Sequence, residues 1–277
     1  MKKGFMELGL FKNIIGQLKT SLVNLNLYSW GEPLLNPDFV EMIRYAKQVI
    51  PGVRIVTSTN LNINDDLLLE KLIRSGADEI IISCDGISQE SYSKYRVGGD
   101  FDLVMRNIKT LLHFRDQFKS KVHLVWNFIV FKHNENEVGR AKEAARSMGI
   151  DLRIGKMRTS MKEEILRPHA ESIQKYKNWI PDNPEYSAYD LNKGETKIKI
   201  KSCRKPWAEM SINWNGDVFP CCAVYGDEYR LGSIKSAAIR EVWNSAPYKL
   251  ARQEVLNRGC KVVTICGICR DNGFMHM

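Results

Sequence analysis

The chain has 277 residues, 44% hydrophobic and 26% charged, a balance that fits a soluble globular protein of one large domain or two ordinary ones. No stretch approaches the roughly 20 uninterrupted apolar residues of a membrane-crossing helix. The opening MKKGFMELGLFKNII also lacks the apolar core and cleavage site of a signal peptide, so the expectation is a cytoplasmic protein with no membrane partner. The formal charge of +9 comes from scattered lysines and arginines, densest over 193–205. It reads as a solvated face rather than as an argument for nucleic acid. Lys197, Lys199 and Lys201 alternate with Ile198 and Ile200, the pattern of an edge strand guarded against aggregation.

In chain order, helical apolar spacing predicts a first helix over 10–18, followed by a short buried strand over 22–28. The loop 29–36 leads to a helix with Asn36 as N-cap, Pro37 at its first position, and Phe39, Met42, Ile43 and Ala46 on one face. The alternation continues with strand 53–57, helix 65–74, strand 79–84, helix 101–118, strand 122–130, helix 135–148 and strand 152–154. Strands alternating with helices imply a parallel sheet or barrel. The first helix has no strand before it, so half of one βα unit is expected to be missing. Periodicity fades from Lys156 to Ser202, a stretch with Pro168, Pro181, Pro184 and Gly194, and the reading is a bridge over 161–202 between domains of 1–160 and 203–277.

Loops after the C-terminal ends of parallel strands carry the sites of such folds. The first such loop reads Ser29-Trp30-Gly31-Glu32-Pro33, where a glycine and a proline frame a carboxylate able to hold an ammonium group; a plain turn into a helix would look much the same. Thr57-Ser58-Thr59-Asn60 ends the second strand, and Ser83-Cys84-Asp85-Gly86 ends the third, followed by Tyr95-Arg96-Val97-Gly98-Gly99. Hydroxyls and amides on one rim could bond a ribose and a carboxylate, although each cluster alone is also turn chemistry. Cys84, ending an apolar run, reads as core, and the five histidines show no ligand spacing.

The other six cysteines crowd the C-terminal part, which in such a chain suggests metal before disulfides. Twelve residues separate Cys203 from Gly216, and four more lead to Cys221. The residues between read as a hairpin, with Asn215-Gly216 supplying a positive-φ turn. Cys266-Gly267-Ile268-Cys269 is a CxxC knuckle. Four thiolates such as those of Cys203, Cys221, Cys266 and Cys269 would suit either zinc or a 4Fe-4S cluster, and the cysteines by themselves slightly favour zinc.

Taken together, WGEPLLNP, STN, SCDG, YRVGG and NFIVFKHNENE, followed by C-x12-G-x4-C and CxxC, resemble radical S-adenosylmethionine (SAM) enzymes of the SPASM group. The resemblance implies a partial (β/α)6 TIM-like barrel lacking its first strand, followed by a small α+β SPASM-type domain. It implies SAM bound by Gly31 and Glu32 at the amino group and by Ser58, Thr59 and Ser83 at the ribose and carboxylate, with Asn60, Asp85 and Arg96 nearby. It also implies an auxiliary 4Fe-4S cluster on the four cysteines, with Cys222 and Cys260 spare, a peptide, protein or small-molecule substrate, and a donor such as flavodoxin or ferredoxin. The family carries CxxxCxxC just upstream of the helix that opens this chain, yet no cysteine precedes Cys84. A segment ahead of Met1 bearing that motif and its catalytic 4Fe-4S cluster is therefore expected. The competing expectation is a noncatalytic binding protein with a four-cysteine zinc or iron-sulfur module.

Overall fold

The structure is a computed structural model, which describes residues 4–159, 166, 168–197, 203–224, 226–256 and 261–272. Two compact units divide the chain. One is residues 11–157 with 181–186; the other is residues 1–10, 158–180 and 187–277.

The first unit is a parallel sheet of five strands in the order β1-β2-β3-β4-β5, the strands being Asn24–Asn26, Arg54–Thr59, Glu79–Ser83, His123–Val130 and Asp151–Lys156. Helix α1 (Leu8–Leu18) precedes β1, and α2 (Phe39–Val49), α3 (Asp66–Ile73), α5 (Phe101–Gln117) and α6 (Val138–Met148) fall between the strands. This is the α/β architecture expected. β1 is shorter than its sequence suggests. Helix α2 becomes regular only at Phe39, although Asn36 caps the preceding turn by accepting the Asp38 N–H at 3.0 Å. A helix that the apolar pattern does not reveal, α4 (Gln89–Tyr95), is started by Ser88, whose side chain accepts from the Ser91 N–H.

Side chains alternate across a strand, and here the two faces differ in chemistry. Ile55, Ile80, Ile82, Leu124, Trp126, Phe128 and Val130 are buried on one face and form the core. Cys84 lies on that face too, fully buried, as its apolar context predicts, and burial pushes its thiol up to about 12. The other face is mixed: Arg54, Ser58, Glu79, Ser83, His123, Asn127 and Arg153 share it with buried Val56, Ile81 and Val125. Lys47 of α2 locks the N-terminal ends of the strands, donating at 2.6 Å to Asp78 and at 2.7 Å to the Val53 carbonyl.

In the second unit, β8 (Ser211–Ile212), β9 (Asp217–Phe219) and β10 (Gly232–Ser233) form an antiparallel sheet. Gly216 at φ +86° makes the expected hairpin turn. Helices α8 (Lys205–Ala208), α9 (Ile239–Trp243), α10 (Ala246–Leu256) and α11 (Ile265–Asp271) complete this part. The segment read as a bridge is not featureless. It contains α7 (His169–Lys175) and a hairpin of β6 (Tyr189–Asp190) with β7 (Glu195–Thr196), anchored by buried Ile173, Ile180 and Tyr189. Sparse apolar residues hid these elements, because a few deeply buried anchors suffice for short ones. Lys199, Lys201, Ile198, Ile200 and Cys260 lie outside the described residues.

Candidate functional site

At the C-terminal ends of β1–β3 the polar strand ends do meet. Gly31 takes φ +104°, a left-handed backbone that favours glycine, and Glu32 follows it into the loop. The Glu32 carboxylate accepts the Asn60 N–H at 2.7 Å through one oxygen and the Leu34 N–H at 3.1 Å through the other. Its first task is thus to tie the loop after β1 to the end of β2, with lone pairs left over for a ligand. Ser58 and Ser83 face each other hydroxyl to hydroxyl at 3.2 Å, both half-buried.

The remaining rim residues shape the site from behind. Thr59 is buried on the helix-facing side, where its hydroxyl accepts the Leu61 N–H at 2.9 Å. Asn60 accepts the Asn62 N–H at 2.9 Å. Asp85 is fully buried; one carboxylate oxygen takes Arg96 Nε at 2.7 Å and Nη2 at 2.6 Å, and the other takes the Ile129 N–H at 2.7 Å. Burial works against the charged form of this carboxyl, and the guanidinium opposes that effect. Asp85 and Arg96 therefore fix α4 to the ends of β3 and β4.

Two asparagines hold these loops and a third lies beside them; in the sequence, Asn127 and Asn134 are quoted within NFIVFKHNENE without a role for either, and Asn107 is not singled out. Asn107 donates to the carbonyls of Leu61 at 3.0 Å and Ile63 at 2.6 Å. Asn134 donates to those of Asp85 at 3.0 Å and Ile129 at 3.1 Å. Asn127, paired in register with Ser83, shares its face of the sheet. A polar residue interrupting the apolar run of β4 was the available signal.

In the second unit Cys203, Cys221, Cys266 and Cys269 line one cavity with Pro206, Pro220, Val224, Val255 and Ile265. Lys205 is the charged residue on its described wall, and its ammonium is held by Glu209 at 2.7 Å. The CxxC motif lies on α11 rather than in a turn, so Cys266 and Cys269 share one helical face. Among the described residues no three ligand groups are drawn to metal-binding spacing; the thiols surround the cavity without converging. Burial, and after it the neighbouring sulfurs, push Cys266 up, and burial pushes Cys221 up to about 11. Such thiols ionise only when a cation supplies the compensating charge. An apolar cavity with four sulfurs therefore fits a metal centre. Cys222 is exposed and does not line it.

The family model of the radical SAM superfamily matches residues 2–147, more than half of the chain. The chain belongs to the radical SAM superfamily. A second match, the SPASM iron-sulfur cluster-binding domain, covers residues 203–270 and so all four cavity cysteines. Radical SAM and SPASM domains bind 4Fe-4S clusters, and SAM is the superfamily's shared cofactor.

This radical SAM protein is 23% identical to an AdoMet-dependent heme synthase of Methanosarcina barkeri, over 95% of this chain and 82% of that one. It is 25% identical to the mycofactocin maturase MftC of Mycobacterium ulcerans, over 93% and 70%. Identity to the PqqA peptide cyclase of Granulibacter bethesdensis is 24%, over 79% and 60%. Its fold resembles native anSMEcpe with bound AdoMet, at a TM-score of 0.65 and 14% identity over 98% of this chain and 83% of that one. It also resembles Streptococcus suis SuiB bound to S-adenosylmethionine, at 0.63 and 16% over 97% and 66%. No described helix is long and apolar enough to cross a membrane.

Proposed function

We propose that this radical SAM protein binds SAM at the C-terminal rim of β1–β3 and serves a reaction that abstracts hydrogen from a peptide or protein substrate. When a reduced catalytic cluster and SAM are both bound, their chemistry is reductive cleavage to a 5′-deoxyadenosyl radical. The observation that carries the reading is the Ser58–Ser83 hydroxyl pair, 3.2 Å apart, on the same rim as the Glu32–Asn60 tie. Two hydroxyls at that spacing suit the ribose or carboxylate of the cofactor. Gly31 and Glu32 would hold its amino group, with the lone pairs that the Glu32 carboxylate does not spend on Asn60 and Leu34. Asn60 offers an amide beside them, while Thr59, Asp85 and Arg96 keep the rim rigid.

In the second unit we assign Cys203, Cys221, Cys266 and Cys269 to an auxiliary 4Fe-4S cluster that assists electron transfer or binds the substrate. A peptide substrate is supported by relatives named as a peptide cyclase and as mycofactocin maturases. A flavodoxin or ferredoxin would supply the electron. The chain has no cysteine before Cys84, so its own residues hold SAM without providing the three-cysteine set that opens the reaction in this family.

Two measurements test this. Equilibrium dialysis with labelled SAM should show binding that Ser58→Ala and Ser83→Ala together weaken by about tenfold, the loss of one or two hydrogen bonds. Unchanged affinity would remove the rim from the argument. After anaerobic reconstitution with dithionite, these 277 residues should form no 5′-deoxyadenosine above a no-protein control.

A further inference from the structure

The four-cysteine cavity of the second unit has one charged residue on its described wall, Lys205. Its side chain is 16% exposed, so it is turned in from solvent, and its ammonium is held by both oxygens of Glu209, at 2.7 and 2.9 Å. The Glu209 side chain is 50% exposed. Water therefore screens the acid more than the base, and of the two charges the ammonium acts more strongly on the cavity. It is close enough for its charge to bear on the sulfurs of Cys221 and Cys222.

Helix energetics do not account for this pair. Helix α8 begins with Lys205 and is followed at its C-terminal end by Glu209. That sets a cation at the helix end that favours anions and an acid at the end that favours cations. Lysine four residues before glutamate is also the weaker order of such a pair. Yet this short helix is pinned to α10. Tyr248, fully buried, donates its hydroxyl to the Glu209 carbonyl at 3.2 Å, and Arg252 donates Nε to the Pro206 carbonyl at 2.9 Å. The Arg252 guanidinium is stacked on the rings of Trp243 and Tyr248, 4.5 and 4.8 Å from their centres. Arg252 does not line the cavity. Neither does buried Glu254, whose carboxylate is taken up by the N–H groups of Val263 and Thr264. These contacts hold a single ammonium beside four sulfurs.

We propose that Lys205 raises the reduction potential of the cluster assigned to Cys203, Cys221, Cys266 and Cys269. The proposal rests on the auxiliary-cluster reading given above and deepens its electron-transfer branch. Reduction adds one electron, and so one negative charge, to a group already ligated by four thiolates. In an apolar cavity that added charge is costly, and the potential of such centres follows net charge, hydrogen bonds to sulfur and exposure to water. A fixed ammonium on the wall stabilises the reduced state relative to the oxidised one. The electron comes from a donor of the flavodoxin or ferredoxin class, and no bond forms or breaks at Lys205.

The test uses the full chain after anaerobic reconstitution; with no cysteine before Cys84, the cluster on the C-terminal cysteines is the one observed. A mediated redox titration, followed by electron paramagnetic resonance of the reduced cluster, gives the midpoint. Lys205→Gln should disfavour the reduced state about tenfold, a fall of about 59 mV for one electron, with iron and sulfide per chain unchanged. Lys205→Arg, which keeps the charge, should restore most of the midpoint. Arg204→Gln, which removes an exposed charge one residue away, should leave it where it is. Glu209→Gln keeps the ammonium and removes its partner charge, so the midpoint should rise. An unchanged midpoint in Lys205→Gln at full iron content would overturn the proposal. If Lys205→Gln assembles no cluster, Glu209→Gln decides: a rise supports the proposal, and no change or a fall overturns it. Zinc alone, or iron without acid-labile sulfide, in the unaltered chain would defeat the cluster reading itself. A reducible cluster whose midpoint ignores both substitutions would defeat only the role of Lys205.

Discussion

Glu254 of α10 closes the N-terminus of α11 through Thr264. Its carboxylate accepts the Thr264 N–H at 2.9 Å and the Thr264 hydroxyl at 2.5 Å, and also takes the Val263 N–H at 2.7 Å. Gly267 lies so close that a Cβ there would stand 2.5 Å from the carboxylate. Arg270 of the same helix donates back to the Glu254 carbonyl. The helix that carries Cys266 and Cys269 is therefore oriented by a buried acid outside the cysteine pattern. Glu254→Ala should cost about 1–2 kcal/mol, the loss of a helix cap, and should lower iron per chain after anaerobic reconstitution. Glu254→Gln, which keeps an acceptor oxygen, should restore part of the iron. Equal loss in both variants would mean that charge rather than capping is what matters.

Single replacement of Cys203, Cys221, Cys266 or Cys269 by Ala should lower iron and sulfide content, because a small module leans on its metal centre for folding energy. Cys84→Ala should leave iron unchanged, since that thiol is packed in the sheet core of the other unit. Cys222→Ala should also leave it unchanged, as that side chain is exposed and outside the cavity. Full iron retention by both Cys221→Ala and Cys269→Ala would refute the ligand set.

Removing Arg96 would strand the fully buried Asp85 carboxylate with the Ile129 N–H alone. Breaking a buried pair on one side costs about 3–5 kcal/mol. Arg96→Ala should therefore lower the unfolding midpoint in urea and loosen α4, which hydrogen exchange across residues 89–95 would register. Asp85→Asn together with Arg96→Ala should recover part of the loss, because no unpaired charge remains.

The Glu79 carboxyl sits below its ordinary value. Burial alone would raise it, but the hydrogen bonds and charges of Arg153 and Arg54 outweigh that effect. A depressed carboxyl stabilises the fold above its unfolded-state value and loses that contribution as pH falls through the folded one. The stability difference between the unaltered chain and Glu79→Gln should be full at pH 7 and should shrink progressively below the ordinary glutamate value of 4.5. Urea unfolding at several pH values, followed by the fluorescence of buried Trp126 in the same unit, measures it. A difference that grew with acidity would contradict the assignment of the pair.

What the sequence determined by itself was whatever depends on short-range order. Strand and helix alternation follows from apolar periodicity, the hairpin after Met210 from Asn215-Gly216, and the cavity cysteines from their spacing. The WGEP and STN clusters marked the rim because strand ends are local features. Only the tertiary structure decided what those residues do. Glu32 and Thr59 turn part of their bonding capacity toward backbone N–H groups, and Asp85 is committed to Arg96, a partner eleven residues away whose direction no pattern specifies. Arg54, Glu79 and Arg153 are separated by 25 and 74 residues. They look like unrelated surface charges along the chain, and they meet because parallel register brings the starts of β2 and β3 and the middle of β5 onto one face. Glu254 reads as an ordinary helix residue until the fold sets it over the first turn of α11. Burial and partner choice depend on contacts far apart in sequence, and the chemistry of a charged side chain follows from those two.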